Sequence, residues 1–258
     1  MDFHRFVAIG DSFTEGYGDP DPRSPGGLRG WADRTADVLA ARTDHFAYAN
    51  LAIRGRLLGR IVDEQIAPAV ALRPDLITIS AGGNDVIRPG TDPDAIAARL
   101  DPALAELAAT GATLVLFTGV DVGFSPVFRR IRGKVAIFNE LLHGLAAKHG
   151  ALVADQWSLK AIQRADFWSV DRLHLNAYGH HEVARMVLDV LDVPNDLEPS
   201  DPAPLPERTW REARVEDLQW TREHLIPWIG RRIRGVSSGD AVLPKRPGFE
   251  ALDERRRD

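Results

Sequence analysis

The chain has 258 residues, 44% of them hydrophobic, enough for one sizeable α/β domain plus an appendage. Its 32 basic and 37 acidic residues leave a formal charge of -5, without the electrostatic footprint that wrapping nucleic acid requires, so no nucleic-acid partner is expected. Cysteine is absent, which excludes disulfides, thiolate nucleophiles and cysteine–zinc sites.

The N-terminus enters a strand-like run at residues 5–9 almost at once, leaving no room for a signal peptide, and no later stretch reaches the roughly 20 apolar residues of a membrane span. A soluble, cytoplasmic protein with no stable membrane insertion is the expectation. Of the 32 basic residues 28 are arginine, a bias that reads as a GC-rich, bacterial genome.

In chain order, candidate strands at residues 6–9, 46–53, 76–80, 113–118 and 152–155 alternate with helix-period segments at 31–42, 58–72, 94–109, 131–148 and 177–191. This alternation is the pattern of βα units, and five strands fit a flavodoxin-like, mainly parallel sheet. Asn176 is placed to cap the last helix, and Gly150 sits where the fourth should stop. One α/β domain is therefore assigned to residues 1–193, the expected catalytic domain once the motifs below are placed on it.

Beyond it, residues 194–258 hold eight of the 17 prolines. Residues 194–206 read as an extended linker and 207–226 as a charged amphipathic helix with Val215, Leu218, Leu225 and Ile229 along one stripe, beside Trp210, Trp220 and Trp228. The remaining run, with Gly235 to Gly239 and Arg255 to Arg257, is expected to be mobile. The tail's acidic residues offset its basic ones, which favours a helix packed on the catalytic domain or in a homo-oligomer over a membrane-surface segment.

Four short pieces carry the chemistry: Gly10-Asp11-Ser12-Phe13-Thr14-Glu15-Gly16, the segment from Asn50 to Gly55, Gly82-Gly83-Asn84-Asp85, and Asp171-Arg172-Leu173-His174. Each follows a strand or precedes the last helix, and in an open parallel sheet such positions share one edge. Ser12 is a weak nucleophile until a base accepts its proton. His174 suits that task near neutral pH, with Asp171 three residues earlier to hold the other ring nitrogen. Asn84, through its side chain, and Ser12 and Gly55, through their backbone N–H groups, can meet the oxyanion. Taken singly, each piece reads as an ordinary turn or surface pair; their joint occurrence in order favours a hydrolase.

Together these pieces resemble the SGNH hydrolase superfamily, also called the GDSL esterase/lipase family. Gly10-Asp11-Ser12 with Gly16 is similar to its first block, with Phe13 where leucine is usual, and Asn50 to Gly55, Gly82 to Asp85 and Asp171-x-x-His174 to the later ones. The resemblance covers roughly residues 5–191. It implies a three-layer α/β/α fold and a serine esterase that hydrolyses carboxylic esters of small molecules through an acyl-enzyme, with neither metal nor organic cofactor. Under it Ser12 is the nucleophile, His174 the base, Asp171 its orienter, and Gly55 and Asn84 oxyanion donors.

Two other functions stay open at this point. An acyltransferase or deacetylase acting on a sugar or other hydroxyl would use the same intermediate, and a binding module would keep the fold without the activity. Dinucleotide binding is disfavoured, since residues 10–16 match neither G-x-G-x-x-G nor the P-loop, and Asp11 and Glu15 would repel phosphate. The residues are also not the G-x-S-x-G elbow. Asp11 and Asp85 are expected to tie down their loops, and His180 and His181 to be partly exposed. Phe124, Phe128, Phe167 and Trp168 are candidates for an acyl-pocket wall and equally for packing residues.

Overall fold

In the computed structural model, which describes residues 2–206, 209–227, 230 and 237–252, the apolar runs become neighbouring strands of one sheet. They are β1 (Arg5–Gly10), β2 (Ala47–Asn50), β3 (Leu76–Ser80), β4 (Thr113–Phe117) and β5 (Leu152–Ala154), joined by β6 (Arg246–Ala251) in the order β5-β4-β3-β1-β2-β6. The first five run parallel, with Val7 of β1 opposite Ala49 on one side and Ile77 on the other. β6 is antiparallel to β2 at the edge.

The sheet thus has six strands where five were expected, and the extra one comes from the tail expected to be mobile. Pro247 and Gly248 break the apolar alternation of a strand, but an edge strand tolerates both because one of its sides needs no ladder partner.

The helices are α1 (Ser12–Glu15), α2 (Gly30–Ala40), α3 (Leu58–Ile61), α4 (Ala67–Ala71), α5 (Gly83–Val86), α6 (Pro93–Ala108), α7 (Arg132–His149), α8 (Ala177–Val190) and α9 (Trp210–Trp220). Asn176 caps α8 by accepting the Gly179 N–H at 3.1 Å, and Gly150 closes α7 with φ of 66°. The expected helix over 58–72 is realised as α3 and α4 joined by a wide turn at Val62–Ile66. Pro68 has no N–H to offer the preceding turn, which loosens the ladder there.

Side chains alternate across each strand, so the sheet buries both faces. Val7, Ile9, Ile77 and Ile79 pack with Leu100, Leu104, Phe138 and Leu142 of α6 and α7 on one face. Phe6, Ala8, Val115 and Phe117 pack with Trp31, Leu39, Val183 and Val187 of α2 and α8 on the other. This is the flavodoxin-like, three-layer α/β/α architecture.

The tail differs from its sequence reading in two further respects. On α9, Val215 and Leu218 point outward, 63% and 62% exposed, while Trp220 is buried at 7%. The Leu225 side chain, Trp228 and Ile229 lie outside the described residues, as do Gly235, Val236 and Arg255 to Arg257. Residues 237–252 are seated on the body rather than loose. The buried Lys245 ammonium donates to Asp33 Oδ2 at 3.0 Å and to the Leu28 and Arg29 carbonyls. Arg246 lies over the Tyr48 ring. Burial pushes the Asp33 carboxyl up and the Lys245 ammonium down, each opposed by the charge of the other.

Candidate active site

All four sequence pieces converge at the carboxyl edge of the sheet. β1 ends at Gly10 and turns directly into α1, capped by the Asp11 carboxylate, which accepts the Phe13 N–H at 3.1 Å. Gln65 grips the Gly10 peptide groups on both sides: Oε1 accepts the N–H and Nε2 donates to the C=O, each at 2.9 Å. From β2, Asn50 Nδ2 donates to the Thr14 carbonyl and to the Tyr48 hydroxyl, both at 2.9 Å, tying α1 to the neighbouring strand. Ser12 is held at the rim by buried polar partners and is 8% exposed.

His174 arrives from the loop before α8. His174 Nε2 stands 3.0 Å from Ser12 Oγ, and His174 Nδ1 stands 2.6 Å from Asp171 Oδ2. Asp171 Oδ1 accepts from the Ser169 hydroxyl at 2.6 Å and from the backbone N–H groups of Leu173 and His174 at 2.9 and 3.0 Å. Burial acts to raise the Asp171 carboxyl, but the His174 hydrogen bond and charge, with the Ser169 and Leu173 donors, hold it well below the usual carboxylate range. The turn that brings both groups to one side places Arg172 at φ 54°, a left-handed conformation costing a non-glycine residue about 1–2 kcal/mol.

Tyr17 meets the His174 ring edge-on at 4.6 Å between centroids. Behind it the Arg54 guanidinium covers the Tyr17 face at 4.8 Å and pairs with the buried Glu15 carboxylate, Nε to Oε1 at 3.0 Å.

Gly55 takes φ of 72°, where a side chain would be strained, and is not among the residues lining the cavity that Ser12, Asn84 and His174 share. Neither the Ser12 nor the Gly55 N–H has a hydrogen-bond partner among the described residues. Asn84 borders the same cavity, but its amide faces its own loops in this state: Nδ2 donates to Asp11 Oδ2 at 2.8 Å and to the Arg56 carbonyl at 3.1 Å. Burial pushes the Asp11 carboxyl up to about 6 against the lowering effect of the Phe13 N–H. Asp85 Oδ2 accepts the Leu58 N–H at 2.9 Å, the tethering expected of it.

A cavity of about 230 Å³ opens from Ser12 and His174 along the ends of β3 and β4 and beneath α7. Val86, Phe117, Val120, Val135 and Phe138 line it, with Phe124, Phe128 and Trp168 at the wall as expected. Phe167, expected beside them, is instead in the core at 1% exposure. Two wall hydroxyls are already engaged, Thr118 donating to Asp155 and Ser125 accepting the Phe128 N–H. Among the described residues, no group of three or more His, Cys, Asp or Glu is placed to hold a metal ion.

Several contributors escaped the sequence reading. Gln65 shares a helical face with Ile61 and Ala69, and a polar residue on that apolar face was the available signal. His180, expected to be partly exposed, is fully buried, and burial drops its imidazolium to about 4. Its neutral ring accepts the Trp31 N–H on Nδ1 at 3.2 Å and faces the Tyr17 carbonyl with Nε2 at 3.3 Å, fixing the backbone behind Tyr17. Nothing local in the sequence marks Tyr17.

A family model described as the GDSL-like Lipase/Acylhydrolase family matches residues 8–182. No curated protein matches the sequence. Among solved structures, the chain is similar to LAE5, an alpha/beta hydrolase enzyme from the metagenome of Lake Arreo, Spain, at 22% identity and TM-score 0.64, over 75% of this chain and 97% of that one. It is also similar to a catalytic mutant of Axe2, an acetylxylan esterase from Geobacillus stearothermophilus, at 19% identity and TM-score 0.63, over 75% and 98%. A third is the psychrotrophic esterase EstA from Pseudoalteromonas sp., at 18% identity and TM-score 0.56, over 72% and 96%. At these identities the likeness is one of fold. No helix among the described residues is long and apolar enough to cross a membrane.

Proposed function

Because this chain belongs to the GDSL-like lipase/acylhydrolase family, we propose that it is a serine carboxylic ester hydrolase working through an acyl-enzyme on Ser12. The observation that carries the reading is the continuous hydrogen-bonded line from Ser12 Oγ through His174 to Asp171, at 3.0 and 2.6 Å.

His174 Nε2 takes the Ser12 proton as Oγ bonds to the ester carbon and the carbonyl electron pair moves onto oxygen. The Ser12 and Gly55 N–H groups meet that oxyanion, and Asn84 joins them when one of its N–H bonds turns from Asp11 or from the Arg56 carbonyl. Collapse of the tetrahedral species breaks the ester C–O bond, and the leaving alkoxide takes the proton from His174. Water then repeats the cycle with His174 as base, freeing the carboxylic acid and returning the proton to Ser12. Asp171 stays ionised throughout and holds the imidazole in the required tautomer.

The apolar lining supports an aliphatic acyl chain as the group next to Ser12. An apolar cavity of roughly 150 Å³ admits benzene, so this larger one has room for about eight carbons. Hydrolysis of p-nitrophenyl octanoate by Ser12→Ala tests the reading: turnover is expected to fall about 10⁶-fold, with loss of fluorophosphonate labelling. A folded Ser12→Ala that keeps wild-type turnover would overturn it.

A further inference from the structure

The family match ends at residue 182, yet residues beyond it touch both loops that the proposed mechanism uses. Trp220, at the end of α9, donates its indole N–H to the Asp171 carbonyl at 3.0 Å. Its ring lies 5.2 Å from the Arg172 guanidinium, which also pairs with Asp217 of the same helix at 2.7 Å. Arg172 is the residue held in the left-handed conformation, so α9 grips the strained point of the turn that presents Asp171 to His174.

At a second point, the turn at residues 237–240 lies against Arg54 and Gly55. Gly239 approaches the Arg54 carbonyl so closely that an added Cβ would overlap it, and an added Cβ on Gly55 would meet Ser237 Oγ. Asp240 anchors this turn by accepting from Ser237 N–H at 2.8 Å, from Arg56 at 3.2 Å and from Arg60 at 2.6 Å. Arg56 in turn offers its carbonyl to Asn84.

We propose that the C-terminal segment is an external brace for the catalytic centre, with Trp220 a positioning residue for Asp171 and the turn around Gly239 and Asp240 a seat for the Arg54 to Arg56 loop. The proposal rests on the serine-hydrolase reading above. Neither contact reaches substrate: Trp220 acts through the peptide that carries Asp171, and Asp240 through the loop that carries Gly55. A brace of this kind sets how often the donors and the base are aligned, which governs kcat, and leaves the acyl cavity and hence KM largely alone.

The test uses the full chain, p-nitrophenyl octanoate, and the variants Trp220→Phe, which keeps an aromatic ring and removes the donor, and Asp240→Asn. Trp220→Phe is expected to lower kcat about tenfold with KM within twofold, to slow fluorophosphonate labelling of Ser12 equally, and to shift the low-field proton NMR signal of the His174–Asp171 hydrogen bond. Asp240→Asn is expected to lower kcat about threefold without moving that signal. The proposal is overturned if Trp220→Phe keeps kcat within twofold and leaves the signal in place, or if kcat falls only in proportion to the unfolded fraction seen by circular dichroism. Should Trp220→Phe fail to fold, an Asp240→Asn protein with wild-type kcat overturns the proposal by itself. Ser12→Ala separates the two levels, since an active Ser12→Ala removes the underlying mechanism, whereas an inactive one beside an unaffected Trp220→Phe removes only the brace.

Discussion

Ser12 and His174 face each other at 3.0 Å, but the two sides of that contact are held in opposite ways. The Ser12 side is tied from within, by Gln65 on both sides of the Gly10 peptide and by Asn50 across to α1, all at or near full burial. The His174 side is a loop that stabilises itself through Asp171 Oδ1 and is gripped from outside by α9. A side chain at a strand end inherits the rigidity of the sheet, whereas one on a loop has to be given order by local hydrogen bonds and by whatever packs over it. The same contrast shows in the two carboxylates beside the pair. Burial with few donors raises Asp11 to about 6, while several donors hold Asp171 low despite burial.

The largest break in this comparison is on the loop side. Asp171→Asn removes the charge that orients His174 and is expected to cost about 10⁴ in kcat with little change in KM, read by steady-state kinetics. On the inner side, Gln65→Leu leaves the Gly10 N–H buried and unpaired, while the Gly10 carbonyl keeps the Ile53 N–H at 3.3 Å. It should lower unfolding free energy by about 3 kcal/mol in urea titration, from roughly 1–3 kcal/mol for the orphaned N–H and about 1 kcal/mol for the hydrogen bond lost at the carbonyl.

Asp11 sharpens the same contrast through pH. Its carboxyl binds a proton more tightly in the folded state, so its contribution to stability is fully present below the unfolded value of 3.8 and is lost as pH rises through about 6. Between pH 3 and pH 8 the wild type should therefore lose about 3 kcal/mol relative to Asp11→Asn, measured by urea midpoints across that range. The smallest expected effect is in the cavity, away from both sides of the pair. Val120→Trp fills space beside Phe117 and should reduce the preference for p-nitrophenyl octanoate over the acetate about tenfold, leaving acetate turnover nearly unchanged.

Much of this was legible in the chain itself. Apolar runs of strand length separated by helix-period segments determined a parallel sheet, because a strand covered on both faces needs no polar alternation. Glycine-rich and Asx-rich pieces after those strands determined which residues would gather at one edge, since carboxyl ends of parallel strands share it. Ser12, Asp171 and His174 are brought together as their order along the chain led one to expect.

Tertiary structure alone decided the rest. β6 could not be read, because Pro247 and Gly248 hide a strand whose existence depends on a free edge at β2 and on the buried Lys245–Asp33 pair. The outward face of Val215 and Leu218 and the inward turn of Trp220 were settled by one indole N–H finding the Asp171 carbonyl 49 residues away in sequence. Asn84 lines the cavity beside Ser12, but its amide is engaged by Asp11 and Arg56, a competition between loops that no spacing encodes. Periodicity and turn chemistry are local and leave their mark in consecutive residues; the pairing of buried polar groups is not, and it appears only when distant segments have been packed against each other.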